Sequence, residues 1–122
     1  MDTNTIHSYK DLIVWQKGIN LVSTIYDFTK DLPKDEIFGL SSQIKRAAVS
    51  IPANIAEGRH RGTRKDFLQF VRIAYASGAE LETELLIAEK LGFGTKEKLE
   101  KVKKLLDEEM KMLHVMIGKL RN

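Results

Sequence analysis

Apolar residues recur at three- and four-residue steps along most of the chain, and the period breaks only near proline, glycine or a capping residue. Over residues 8–32, Leu12, Trp15, Ile19, Val22 and Tyr26 make one stripe, with Val14, Leu21, Ile25 and Phe28 on a neighbouring one. This predicts an amphipathic helix with a wide apolar face, opened by Ser8 with Asp11 and stopped at Pro33. A second helix is predicted over about residues 36–57 from Ile37, Leu40, Ile44, Ala47, Ala48, Ile51 and Ile55, with Gly58 as its left-handed stop. Pro52 lies inside it. A helix-interior proline removes a backbone donor and costs roughly 3 kcal/mol, so the pattern predicts a kink near Ala48 or a broken helix, with Asn54 bonding to freed backbone groups.

A third helix is predicted over residues 63–91, capped by Thr63 with Asp66 and carrying Phe67, Phe70, Val71, Ala74, Leu81, Leu85 and Ala88 inward. Its small central residues, Ala74, Ala76, Ser77, Gly78 and Ala79, suit close approach to Ala47, Ala48, Ala53 and Ala56. Gly92 and Gly94 end it, and Thr95 opens a fourth helix over residues 95–121 with Leu99, Val102, Leu106, Leu113, Ile117 and Leu120 inward. No strand competes convincingly. The predicted fold is all-α, an antiparallel up-down-up-down four-helix bundle with a proline-kinked second helix, forming a single domain over residues 1–122.

Composition narrows the function classes. The chain has 122 residues, 43% of them hydrophobic and 30% charged, which suits one compact domain. The absence of cysteine excludes disulfides, thiolate zinc sites and cysteine nucleophiles and suggests a cytoplasmic protein. No apolar run approaches the roughly 20 residues of a membrane span, and residues 1–10 carry no signal-peptide core. The formal charge is only +3, but residues 59–65 hold four basic side chains and no acidic one.

That cluster, Arg59, His60, Arg61, Arg64 and Lys65, can hold phosphate oxygens, with Lys45 and Arg46 as further candidates for nucleic-acid contact. The competing reading is a solvated loop whose charges pair with Asp66, Glu57 or a neighbouring subunit. The lysines of the fourth helix mostly alternate with Glu97, Glu100, Glu108 and Glu109, the pattern of an exposed, ion-paired face. Glu80 and Glu84 share a face of helix three near Glu82, and these glutamates are expected to pair with Arg46, Arg72 or a neighbouring chain. A di-iron set would need two Glu-x-x-His pairs, and the only match is Glu57 with His60. His7, His60 and His114 lie in separate segments, without a nucleophile–histidine–acid arrangement or a phosphate-cradling loop. No metal, cofactor or enzymatic activity is therefore predicted. Trp15 reads as a core indole, and Ser41, Ser42 and Gln43 as polar groups that fix helix register.

Three stretches are recognisable: Asp11-Leu12-Ile13-Val14-Trp15-Gln16, the run from Phe38-Gly39-Leu40-Ser41-Ser42-Gln43 to Ile51-Pro52-Ala53-Asn54-Ile55-Ala56-Glu57-Gly58, and Glu80-Leu81-Glu82-Thr83. The chain resembles the bacterial 23S ribosomal RNA intervening-sequence proteins in collinear order over about residues 9–93. The resemblance implies a helical protomer that assembles into a homopentamer, in a family without a defined biochemical activity. Distant relatives are accessory proteins of diversity-generating retroelements, which implies nucleic acid and a reverse transcriptase as partners. It also marks Pro52 and its neighbours as a built feature that aims the basic corner. One departure is Ala76-Ser77-Gly78, where the family often has Gly-Ser-Leu. The predicted function is a non-enzymatic, homo-oligomeric scaffold that binds nucleic acid through the helix two to three link. The alternative is a protein–protein adaptor. Trp15, Gln43, Pro52, Asn54, Glu57, Glu80 and Glu82 are assigned to structure and assembly.

Overall fold

Four amphipathic segments can hide their apolar stripes only against one another, and they do so in the computed structural model, which describes residues 8–122. Helix α1 spans Ile13–Thr29, α2 Leu40–Arg61, α3 Arg64–Lys90 and α4 Lys96–Arg121, with 3-10 turns at Tyr9–Asp11 and Lys34–Glu36. Among the described residues there is no strand, and no helix is long and apolar enough to cross a membrane. His7 lies outside the described residues. Thr63 and Thr95 cap α3 and α4 as predicted, accepting hydrogen bonds from the N–H groups of Asp66 and Lys98.

Neighbouring helices pass one another in opposite directions. Ser50 on α2 bonds Ser77 on α3, while Gly58, later in α2, lies against Phe70, earlier in α3. Lys17 and Asp31 of α1 and its exit meet Glu108 and Lys98 of α4 in the same reversed order. The core is filled by Leu21, Ile25 and Phe28 from α1, Ile44, Ile51 and Ile55 from α2, Leu81 and Leu85 from α3, and Val102 and Leu113 from α4. Each such side chain contributes about 1.5–3 kcal/mol by leaving water.

Several boundaries and facings differ from the sequence pattern. Ser8 accepts from the Lys10 N–H and so caps the 3-10 turn, and extended Leu12 separates that turn from α1. On α1 the second stripe won the core: Val14 and Leu21 are buried, while Ile19 and Tyr26 are exposed. Trp15 is half-buried, edge-on to the Tyr9 ring at 5.4 Å.

Helix α2 begins only after Gly39 and continues past Gly58 to Arg61, where Gly62 at φ 88° supplies the left-handed stop. Gly58 serves a different purpose: a Cβ there would lie 2.5 Å from the Phe70 Cβ, so it permits close helix approach. The helix runs unbroken through Pro52, whose buried ring packs beside Gly18 of α1. Asn54 does bond locally, donating to the Ser50 carbonyl and hydroxyl, both at 2.8 Å. The Ser50 hydroxyl bonds that of Ser77 at 2.8 Å, so the polar tie between α2 and α3 is here and not at Ser41, Ser42 or Gln43. Ala74, Ser77 and Gly78 turn inward, whereas Ala53, Ala76 and Ala79 are exposed, and Gly78 admits the Met110 thioether of α4.

The largest departure is Glu109. Its place in the lysine–glutamate alternation predicts an exposed face, yet it is wholly buried. It follows Val102 and Leu106 at helical spacing, so the period that buries those residues carries it inward too. Gly18 leaves room for its carboxyl group, since a Cβ there would lie 2.9 Å from the Glu109 Oε2.

Candidate nucleic-acid interface

The last turn of α2 carries Arg59, His60 and Arg61, where positive charge is favourable against the C-terminal helix dipole. Gly62 and Thr63 alone separate the two helices, so Arg64 and Lys65 already belong to α3. The predicted basic link is thus a helical corner.

The structure divides the five side chains among four directions. Arg61 pairs with Glu57 at 3.1 Å, both about half exposed, and its guanidinium sits over the Phe70 ring at 5.0 Å. Arg64 reaches across to α4 and donates to the carbonyls of Lys119 and Leu120 at 2.6 and 3.1 Å and to the main-chain oxygen of Asn122 at 2.8 Å. These are acceptors that a helix C-terminus leaves without intrahelical partners, so Arg64 ties α4 to the corner. Lys65 lies on the outer face of α3, in a groove shared with Arg72. Arg59 and His60 turn the other way, into a cleft of about 460 Å³ completed by Ser8, Tyr9 and Lys10. Arg59 is half-buried and engaged within the chain, and His60 is exposed.

This cleft combines two permanent cations, an imidazole and two hydroxyl-bearing side chains, the donor set that holds phosphate and sugar oxygens. The sequence reading missed Lys10, and it also missed Lys119 and Arg121, which Arg64 draws to the same end of the bundle. Topology was the signal: when four helices alternate in direction, the last turn of the fourth returns beside the link between the second and third.

Lys45 and Arg46 are not brought to this corner. They lie in the first two turns of α2, about 20 Å from Arg59 along the helix axis. Lys45 sits over the Tyr26 ring at 5.2 Å, and Arg46 lines a separate cleft with Phe38, Gln43, Ser50 and Glu80. Glu82 is exposed on the side of α3 that meets α4. Glu80 stays at the surface, and next to it Glu84 is buried, which with the Glu80 charge pushes its pKa up to about 7. Glu57 and His60 share one continuous helix, but the Glu57 carboxylate is held by Arg61. Among the described residues no cluster of three or more histidine or acidic side chains could hold a metal ion.

A family model described as 23S rRNA-intervening sequence protein matches residues 10–115. A crystal structure of a protein from Bacteroides thetaiotaomicron VPI-5482, described as of unknown function and from the S23 ribosomal protein family, is similar to this chain with a TM-score of 0.79. The two are 29% identical, over 86% of this chain and 98% of that one. No curated protein matches the chain.

Proposed function

We propose that this chain, which belongs to the 23S rRNA-intervening sequence protein family, is a non-enzymatic homo-oligomeric scaffold that binds nucleic acid through the cationic end of its bundle. The observation that carries the reading is the convergence of Lys10, Arg59 and His60 on one polar cleft, with Lys65, Lys119 and Arg121 around the same corner. Such a surface contacts phosphates without base readout, so the expected binding is weakly sequence-specific and strongly salt-dependent. Repetition of the corner in an oligomer multiplies weak contacts by avidity.

The test is a titration of the whole protein with single-stranded and duplex RNA at several salt concentrations. Each phosphate contact removed should flatten the plot of log affinity against log salt by about 0.7–0.9. The combined Lys10→Ala, Arg59→Ala and Lys65→Ala variant should therefore bind more weakly and with a shallower salt slope. Unchanged affinity and slope would overturn the proposal.

A second reading, a protein–protein adaptor such as an accessory subunit of a reverse transcriptase, draws on a different surface. Met112, Val115 and Met116 line an apolar trough of about 380 Å³ between Lys111 and Lys119. Val115→Asp should abolish association with a co-expressed polymerase and leave RNA affinity unchanged if this reading holds.

A further inference from the structure

Phe38 is 97% exposed, the most exposed of the large hydrophobic side chains among the described residues. It does not sit on a loose tail. The Gly39 N–H donates to the Glu36 carbonyl at 3.0 Å, the Leu40 N–H to the Glu36 carboxylate at 3.1 Å, and the Gln43 N–H to the Gly39 carbonyl at 3.1 Å. The turn is pinned on both sides of Phe38, so the backbone that carries the ring is held in place. Beside it stands Arg46, exposed and lining the same cleft, with no hydrogen-bond or ion-pair partner among the described residues. Lys34, also exposed, belongs to the same corner.

An opposite set of features lies on the face between α3 and α4. Leu85, Leu86 and Leu106 line a groove of about 450 Å³, and Leu86 is half exposed. Glu82 and Asp107 stand on its rim. Asp107 pairs with Lys111 at 3.0 Å, whereas Glu82 has no partner among the described residues. One surface is an aromatic knob flanked by Arg46, with Glu80 farther along the cleft beside Glu84, and the other is an aliphatic groove flanked by Glu82, with Lys103 on its rim held by Glu89.

We propose that Phe38 of one copy of this chain seats in the Leu85–Leu86–Leu106 groove of the next, with Arg46 paired to that copy's Glu82. Charge complementarity identifies the occupant as a second copy: on the groove's rim Lys103 is held by Glu89 and Asp107 by Lys111, which leaves the Glu82 carboxylate to meet the guanidinium that accompanies the knob. The two patches differ, so the contact is heterologous. They also lie at the same end of the bundle: Phe38 precedes the first residue of α2, and Lys103 on the groove's rim is tied to Glu89 in the last turn of α3. The inference rests on the homo-oligomeric half of the proposed function and is independent of nucleic-acid binding.

The test is sedimentation of the full chain and three sets of variants. Wild type should be an oligomer at micromolar concentration. Phe38→Ser and Leu86→Asp should each weaken self-association about tenfold or more, as expected for a central interface anchor. Each variant keeps one of the two patches, so an equimolar mixture should form heterodimers and nothing larger. Arg46→Glu and Glu82→Arg should each weaken assembly, and their combination in one chain should restore it. An oligomer indifferent to Phe38→Ser, a mixture that stays monomeric, or a charge swap without restoration overturns this contact, while a monomeric wild type overturns the oligomeric reading as well. RNA titration of dispersed Phe38→Ser keeps the two failures apart. Retained salt-dependent binding leaves the cationic end standing, whereas oligomers that ignore RNA overturn the cationic end and not this contact.

Discussion

At the end of the bundle where α3 passes to α4, lysines meet carboxylates. Lys98 lies 2.9 Å from Asp31 and 3.5 Å from Asp27, and Lys103 lies 2.8 Å from Glu89. Hydrogen bonds to Asp31 and Glu89, respectively, hold both ammonium groups above the ordinary lysine range. At the opposite end Arg61 has a carboxylate, but Arg64 gives two of its three hydrogen bonds to the peptide carbonyls of Lys119 and Leu120. A carbonyl satisfies a donor without cancelling its charge. Cations are present at both ends, and the chemistry of their acceptors determines which end keeps an outward positive field.

The most direct way to break this comparison is to neutralise each end in turn. Replacing Lys10, Arg59, Lys65 and Arg121 by Ala should lower RNA affinity at low salt by about a hundredfold. Replacing Lys98 and Lys103 by Ala should change it less than about threefold, because their charges are already matched. Equal losses from the two variants would show that net charge, and not its placement, governs binding.

Between the two ends sits a carboxyl group that could have balanced the cations and does not. Glu109 is wholly buried, neither oxygen has a hydrogen-bond partner among the described residues, and burial pushes its pKa from 4.5 to about 8, against the pull of Lys17. Over that window the folded chain holds a proton that the unfolded chain gives up. Stability should therefore fall as pH rises from about 4.5 to about 8 and level off above, by an amount on the order of a few kcal/mol. Glu109→Met should shrink this fall in urea unfolding, leaving the part that Glu84 contributes up to about pH 7, and be the more stable protein at high pH, since the site is lined by Gly18 and Pro52. A wild-type profile that is flat across the window would place a charge match where the structure has none.

Much of this layout was legible in the sequence, for identifiable physical reasons. The four helices follow from periodic apolar residues, and the Thr63 and Thr95 caps from local hydrogen-bond chemistry that depends on few neighbours. What failed depended on tertiary contact. Gly58 reads as a stop because glycine ends helices, but the approach of Phe70 gives it a packing role, and the true stop came four residues later at Gly62. The five-residue basic cluster was visible as composition, whereas its division among Glu57, the α4 carbonyls and the Lys10 cleft required the neighbouring helices to be placed. Glu109 was misplaced because charge alternation was weighted above the helical period that governs burial.

Close packing under the cationic corner offers a smaller perturbation. A Cβ at Gly58 meets the Phe70 Cβ, which is fixed to the α3 backbone, whereas one at Gly78 meets the Met110 sulfur at the end of a flexible chain. Gly58→Ala should destabilise by about 2 kcal/mol through overpacking. Gly78→Ala should be near neutral, as the gain in helix propensity of about 1 kcal/mol offsets the displaced thioether. If helix separation sets the spacing of Arg59 and Lys65, Gly58→Ala should also weaken RNA binding while Gly78→Ala does not.

The smallest effect separates charge from capping at Arg64 itself. Its three bonds to the main-chain oxygens of Lys119, Leu120 and Asn122 need a planar fork of donors, which lysine lacks. Arg64→Lys should therefore loosen the last turn of α4, seen as faster amide exchange after Ile117, at a cost of about 1 kcal/mol or less because the site is exposed. Its positive charge remains, so RNA affinity should be nearly that of wild type. Arg64→Ala removes both fork and charge and should fray the same turn while also lowering affinity and the salt slope. Should Arg64→Lys lose as much affinity as Arg64→Ala, the tether to α4 would matter more than the field, and the contrast between the two ends would rest on rigidity instead of unmatched charge.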